Sequence, residues 1–232
     1  MAKKELDILD ETSAVAEAGL HKAELFVQKN KQALLYAGGG LIAVVGLYFG
    51  AQEFVFKPME EEAQSALYKA QNLFGADSVK AALNGRGEAL GFLDIADEYS
   101  WTKAGNLAHY YAGLCYLDLA QPAEAIEELD QFSTNDGVLD ITALGSIGDA
   151  FVELKQNEEA VEYYEKAAKG TDNEFLTPLF LRKAALVSEM EGNFSEALSF
   201  YQSIKEKYPL SSEGSTVDRD IAFCEAKLST VK

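Results

Sequence analysis

The chain has 232 residues, of which 48% are hydrophobic, so it is long and apolar enough to bury a sizeable core. Its 20 basic and 38 acidic residues give a formal net charge of −18, which repels phosphate and argues against nucleic acid as a partner. The acidity lies late in the chain, because residues 57–232 contain 15 basic and 31 acidic residues, whereas residues 1–31 contain five and six.

Residues 1–31 are predicted to form a cytoplasmic tail that is helical from Thr12 or Ser13 onward. Its apolar residues lie only loosely on one face, so this segment is either an interfacial helix or a solvated lead-in to the next element. His21 has no second histidine nearby, which argues against a metal site in the tail.

An uncharged run of 21 residues, Gln32 to Gln52, predicts a transmembrane helix over residues 32–56. At ~1.5 Å per residue, a helix of this length crosses a hydrocarbon layer of ~30 Å. Aromatic residues lie toward its two ends and lysines bracket it: Tyr36, Tyr48, Phe49, Phe54, Phe56, Lys29, Lys31 and Lys57. A cleaved signal would start closer to the N-terminus, so we expect the helix to remain as an anchor.

Three consecutive glycines begin at Gly38 and spell GxGxxA with Ala43, the loose dinucleotide-binding fingerprint. No βαβ pattern follows, so a nucleotide site is excluded. The small residues are instead spaced to share one helix face, which favours close approach of another transmembrane helix. Glycine is also common in membrane spans generally, so either explanation accounts for Gly39, Ala43, Gly46 and Gly50.

The lysines near the span set its predicted orientation, because cytoplasmic flanks collect Lys and Arg. Three precede the span and two follow it, namely Lys22, Lys29 and Lys31, then Lys57 and Lys69. This bias predicts a single-pass protein in contact with lipid, with its N-terminus in the cytoplasm and residues 57–232 outside it. In a bacterium, the span then lies in the inner membrane and residues 57–232 lie in the periplasm.

Residues 57–232 lack a convincing strand pattern and repeat with a period of 35 to 37 residues. The clearest copies are "HYYAGLCYLDLAQPAEAIEELDQF", "LGSIGDAFVELKQNEEAVEYYEKA" and "LRKAALVSEMEGNFSEALSFYQSI". The fold class is therefore predicted as all-α, with an N-terminal transmembrane helix followed by a helical repeat solenoid. Its parts are a degenerate copy at about 60–100 with a loop around residues 75–87, clear copies at about 104–137, 140–172 and 178–211, and a capping helix at 215–230.

The copies align a small residue in the first helix of each pair with a large residue in the second. The small residues are Gly113, Gly148 and Ala185, and the large ones are Leu129, Tyr164 and Tyr201. This pattern resembles the tetratricopeptide repeat, in which small and large residues interlock a helix pair. Pro209 stands where that repeat commonly places its proline.

A stack of such pairs has a concave surface formed by the first helices, where an extended or helical peptide binds. We expect that groove to be mainly apolar with a few charges. Alternatively, several of its leucines are buried by adjacent helices or by the capping segment. The predicted lining is Leu107, Tyr110, Leu114, Leu117, Asp149, Val152, Glu153, Leu179, Arg182, Leu186 and Met190.

Catalytic motifs are missing from the sequence, which has no Ser/His/Asp set, no HExxH and no Cys with a His partner. The chain is therefore predicted not to be an enzyme, and no cofactor or small-molecule substrate is expected. His109 falls where the repeat packs a large residue. Cys115 and Cys224 are expected to be separate, buried and unreactive.

A short tail, one span and an acidic external helical repeat together resemble the YfgM-like family, ancillary subunits of the bacterial Sec translocon. The likeness is most specific in "FVQKNKQALLYAGGGLIAVVGLYFG", where Phe26 and Asn30 lead into a glycine-rich span. The resemblance implies association with Sec channel subunits and a periplasmic chaperone, with the repeats helping secreted chains after they cross. The alternative is a scaffold that coordinates envelope assembly or division and uses its span only as a tether.

Overall fold

A computed structural model describes residue 22 and residues 26–170 and 172–230, in two units that divide after Pro58. Most of the predicted cytoplasmic tail, including His21, lies outside the described residues. Across those ranges the regular structure is helical, with one isolated bridge between Arg86 and Ala89 and no strand. The predicted all-α class is confirmed.

The first unit contains helix α1, Lys31–Ala51, followed by a π-helical turn, Gln52–Phe56. The apolar side chains described on α1 are exposed on every side of the helix, for example Leu41 at 67% and Leu47 at 74%. By length and composition, this helix can cross a membrane.

The second unit is built of short helices that pack in sequence order. They are α2 (Lys57–Gly75), α3 (Val79–Asn84), α4 (Phe92–Glu98), α5 (Lys103–Asp118), α6 (Pro122–Gln131), α7 (Gly137–Glu153), α8 (Asn157–Lys169), α9 (Leu176–Met190), α10 (Phe194–Lys207) and α11 (Val217–Thr230). Helices α5 to α10 form consecutive antiparallel pairs, in which α5, α7 and α9 are the first helices. The loop expected around residues 75–87 was wrong in part, because α3 forms there and buries Ala82 and Leu83.

The first helix of each pair ends in the same backbone motif. A residue in the left-handed region follows it, namely Ala120 at φ 54°, Lys155 at φ 59° and Gly192 at φ 77°. The next N–H then donates back across the turn, from Gln121, Gln156 and Asn193 to the carbonyls of Tyr116, Phe151 and Ser188 at 2.8 to 2.9 Å. This is the Schellman arrangement that stops a helix, and it repeats once in each pair.

The predicted small-to-large pairing holds the two helices of each repeat together. A Cβ added to Gly113 would lie 2.5 Å from Leu129 Cγ, and one added to Gly148 would lie 2.6 Å from Tyr164 Cε1. Both contacts are closer than atoms tolerate, so each glycine allows its helix to approach the partner helix. Tyr201 of the third pair is fully buried.

Buried residues gather in two main cores. One joins α2, α3, α4 and α5 around Phe92, and the other joins α7 to α11 around Tyr201. Helix α11 contributes Val217 and Cys224 to the second core while most of its other side chains stay exposed. It therefore covers the apolar end of the last pair, as a capping helix does.

Candidate partner-binding surface

The predicted groove residues lie on α5, α7 and α9 and differ widely in exposure. Leu107, Leu114, Leu117 and Leu179 are half-buried. Leu186 and Met190 on α9 are much more accessible, at 44% and 69%. Leu179, Leu186 and Met190 share one face of α9 at helical spacing, and we call these three residues the α9 strip.

Three of the predicted lining residues are partly buried against core residues. Val152 packs against the core around Tyr201, Leu107 packs against the core around Phe92, and Tyr110 packs against a small cluster that includes Leu129. Each of the three therefore exposes only part of its side chain.

Asp149 lies at the centre of a polar cluster that links α7 to its neighbours. Its carboxylate accepts a hydrogen bond of 2.5 Å from the Tyr164 hydroxyl and contacts of 2.7 and 2.8 Å from Lys183 Nζ. Burial, followed by the bond to this carboxylate, raises the pKa of Tyr164. The charge of Asp149 is thus matched within the protein.

Arg182 is also matched within the protein. Its guanidinium donates to Thr216 Oγ1 at 2.9 Å and to Asp220 Oδ2 at 3.2 Å on or beside α11. The side chain is 28% exposed and its partner carboxylate 12% exposed, so the pair is shielded from solvent. This contact fixes the capping helix against α9.

Successive first helices are therefore joined by a series of polar contacts, here called the inter-repeat contacts. The Tyr110 hydroxyl lies 3.4 Å from Thr142 Oγ1 between α5 and α7, Asp149 meets Lys183 between α7 and α9, and Arg182 meets Asp220 between α9 and α11. None of these three pairings was predicted, because the two partners of each lie more than 30 residues apart in the chain. A binding partner would meet the α9 strip as the most accessible apolar part of the groove.

His109 and the two cysteines lie within the packed helices of the repeat unit. His109 Nδ1 lies 2.7 Å from Glu128 Oε2 across the first helix pair. Burial raises the pKa of the Cys115 thiol to about 12 and that of Cys224 to about 11, and both thiols are free and buried. Among the described residues, no group of three or more His, Cys, Asp or Glu side chains is placed to hold a metal ion.

An open cleft of about 650 Å³ lies between α8, α9 and α10. Its lining is mixed, and its acids are engaged. Glu165 pairs with Lys169, and Asp172 accepts a hydrogen bond of 2.7 Å from the Tyr208 hydroxyl. These contacts tie the helix ends together.

Comparison with known proteins agrees with this geometry. The tetratricopeptide repeat profile matches residues 181–211, which run from within α9 to beyond α10. The second unit has a tetratricopeptide-repeat fold. A search of curated proteins found no match.

Two solved structures share this fold at low sequence identity. The crystal structure of MamA protein is 17% identical, with a TM-score of 0.52 over 72% of this chain and 90% of that one. A crystal structure from Podosopora anserina, described as a kinesin light chain with nearly identical TPR-like repeats, is 13% identical, with a TM-score of 0.54 over 74% and 88%. Repeat scaffolds of this kind are typically non-enzymatic and bind proteins.

Proposed function

We propose that the chain is a single-pass inner-membrane protein whose periplasmic repeat unit is a scaffold for protein partners, as an accessory subunit of the Sec channel. The observation that carries the anchoring is α1, a helix of 21 residues that is uncharged after Lys31 and whose described side chains lie exposed. Burying a large aliphatic side chain is worth ~1.5–3 kcal/mol, so such a helix is strongly favoured in lipid over water.

The resemblance of the span and its lead-in to the YfgM-like family supports the Sec channel as the membrane partner. In the span, a Cβ added to Gly39, Gly46 or Gly50 meets nothing within 4 Å, so this face is open to a neighbouring helix. In the periplasm, we propose that the α9 strip contacts a chaperone or an emerging secreted chain. The net negative charge of residues 57–232 disfavours acidic partners.

Crosslinking in intact membranes tests the channel contact. A photoreactive residue is placed at Gly46 in one chain and at Leu41 in a control, since Leu41 lies on the opposite face of α1 and is also exposed. Recovery of channel subunits from Gly46 and not from Leu41 supports the proposal. Recovery of lipid alone from both positions would exclude docking of another helix on the small-residue face. The span would then act only as a membrane tether.

Copurification tests the periplasmic contact. Leu186→Glu and Met190→Glu place charge on the α9 strip, whereas Tyr68→Glu is a control at a side chain on α2 that is 66% exposed outside the groove. The two groove variants should lose the periplasmic partner and the control should retain it. Equal retention by all three variants would place partner binding elsewhere.

A further inference from the structure

Trp101, the only tryptophan of the chain, is 85% exposed in the turn that precedes α5. The turn itself is fixed. The buried Thr102 donates from its backbone N–H and its hydroxyl to Tyr99 O at 2.8 and 2.7 Å, and its hydroxyl accepts from Gly105 N–H at 2.9 Å. An ordered turn therefore holds a large amphipathic ring in solvent. An exposed ring of this kind is typical of a residue that contacts a partner surface or a membrane.

The turn of Trp101 lies at the end of the second unit where α2 begins. The Lys103 backbone N–H donates to Glu60 Oε2 at 2.7 Å, and further along both helices the Tyr111 ring lies 6.3 Å from Phe74. Helices α5 and α2 therefore start at the same end.

Glu60 follows Phe56, the last residue of the predicted span, by four positions. Four residues reach at most ~14 Å even when fully extended. Each interfacial layer of a bilayer is ~5–8 Å thick, from the difference between the hydrocarbon core and the full bilayer. The short chain thus keeps Glu60, and the turn bonded to it through Lys103, within reach of the lipid headgroups.

Other exposed apolar side chains lie at the same edge of the repeat unit. The first helices and α11 run in the same direction. Asn106 near the start of α5 bonds to Ser133 before α7. Gly145 and Asp149 of α7 meet Phe180 and Lys183 of α9 in the same order, and Arg182 and Glu189 of α9 meet Asp220 and Cys224 of α11 in the same order. The starts of α5, α7, α9 and α11 therefore share one edge. It carries Trp101 at 85%, Val138 at 50%, Phe175 at 81% and Leu210 at 96% exposure, and we call these four residues the apolar edge.

We infer that the apolar edge rests on the membrane surface, with the indole of Trp101 at the boundary between headgroups and acyl chains. Tryptophan favours this boundary because its ring is apolar while its N–H bonds to polar groups. The exposed Lys103 extends its ammonium toward lipid phosphates from the same turn. This inference rests on the membrane anchoring proposed above and adds lipid as a second contact of the repeat unit.

The test uses the full chain in phosphatidylcholine vesicles, with flotation to establish insertion and intrinsic fluorescence to locate the single tryptophan. Phosphatidylcholine brominated close to the headgroup should quench Trp101 more strongly than lipid brominated near the chain ends, and should also quench the W101F/F175W chain. The matched control is W101F/L154W, because Leu154 is exposed at the opposite end of α7. Its emission should stay unquenched and red-shifted relative to wild type.

Failure of the anchor and failure of the inference give different results. A chain that does not float with vesicles would overturn the anchoring itself. A chain that floats while Trp101 stays unquenched would overturn only the lipid contact. A blue shift of the Trp101 emission that depends on the amount of protein per vesicle would also overturn it, because such a shift indicates contact with a second copy of the chain. Quenching of Trp101 without quenching of W101F/F175W would overturn the extended edge.

Discussion

Replacing Gly148 by alanine tests the close approach of α7 and α8. The new Cβ would lie 2.6 Å from Tyr164 Cε1 and 2.7 Å from Cδ1, so the ring must move by about 0.8 Å to restore a contact of 3.4 Å. The ring has little freedom to move, because Tyr164 is 3% exposed, stacks on Phe180 and donates its hydroxyl to Asp149 at 2.5 Å.

Overpacking of this kind costs ~1–3 kcal/mol, whereas replacing a helical glycine by alanine gains ~0.5–1 kcal/mol. We therefore expect Gly148→Ala to lower the free energy of unfolding by ~1–2 kcal/mol. For a domain of this size, that corresponds to a loss of ~2–8 °C in Tm. Thermal and urea unfolding of the full chain in detergent, followed by circular dichroism, measure both quantities.

Gly137→Ala is the control, because a Cβ at this position near the start of the same helix meets nothing within 4 Å. It should leave stability unchanged or raise it by up to ~1 kcal/mol. Combining Gly148→Ala with Tyr164→Leu should show coupling of ~0.5–3 kcal/mol, since the two residues are in contact. If Gly148→Ala is as stable as Gly137→Ala, the helices do not depend on a glycine at their crossing.

Three further outcomes follow from the described geometry. Burial raises the pKa of Cys115 to about 12 and that of Cys224 to about 11. Neither thiol should therefore react with a thiol reagent at neutral pH until denaturant unfolds the chain. Rapid labelling of the folded chain would contradict this prediction. Burial also raises the pKa values of Tyr164 and Tyr201 above the value near 10 that tyrosine has in an unfolded chain. As the pH rises above about 10, the unfolded state therefore loses protons before the folded state does. The folded state is destabilised, and the urea concentration at the unfolding midpoint should fall. A midpoint that stays level there would be inconsistent with both shifts. Lys155 has a left-handed backbone conformation at φ 59°, which costs a residue other than glycine ~1–2 kcal/mol. Lys155→Gly should therefore raise the free energy of unfolding, measured in urea, by ~1 kcal/mol. An unchanged free energy of unfolding would mean that lysine adopts this turn without strain.

The repeat architecture could be predicted because each helix pair encodes its own packing. Gly148 and Tyr164 lie 16 positions apart, as do Gly113 and Leu129, and that recurrence is visible in the sequence alone. Helix α3 was not predicted because its six residues form fewer than two helical turns, too few to show a periodic apolar pattern.

The candidate surface was predicted less completely than the fold. The sequence identifies Asp149 and Arg182 as charged, but their partners Lys183 and Asp220 lie 34 and 38 positions away. Only the three-dimensional stack shows that these charges are matched within the protein. Periodicity likewise gives no sign of the exposed Trp101, because that residue belongs to a turn.

The inter-repeat contacts give the array a fixed order. The joint between α7 and α9 sets an acid against a base, whereas the joint between α9 and α11 sets a base against an acid. By the alignment of Gly148 with Ala185, Leu186 occupies in α9 the position that Asp149 occupies in α7. Duplication of the segment that encodes α9 and α10 would therefore set Leu186 of one copy against Lys183 of the next and leave that ammonium without its carboxylate. This array is therefore poorly suited to growth by internal duplication of that repeat, and its length is constrained by the chemistry of its joints.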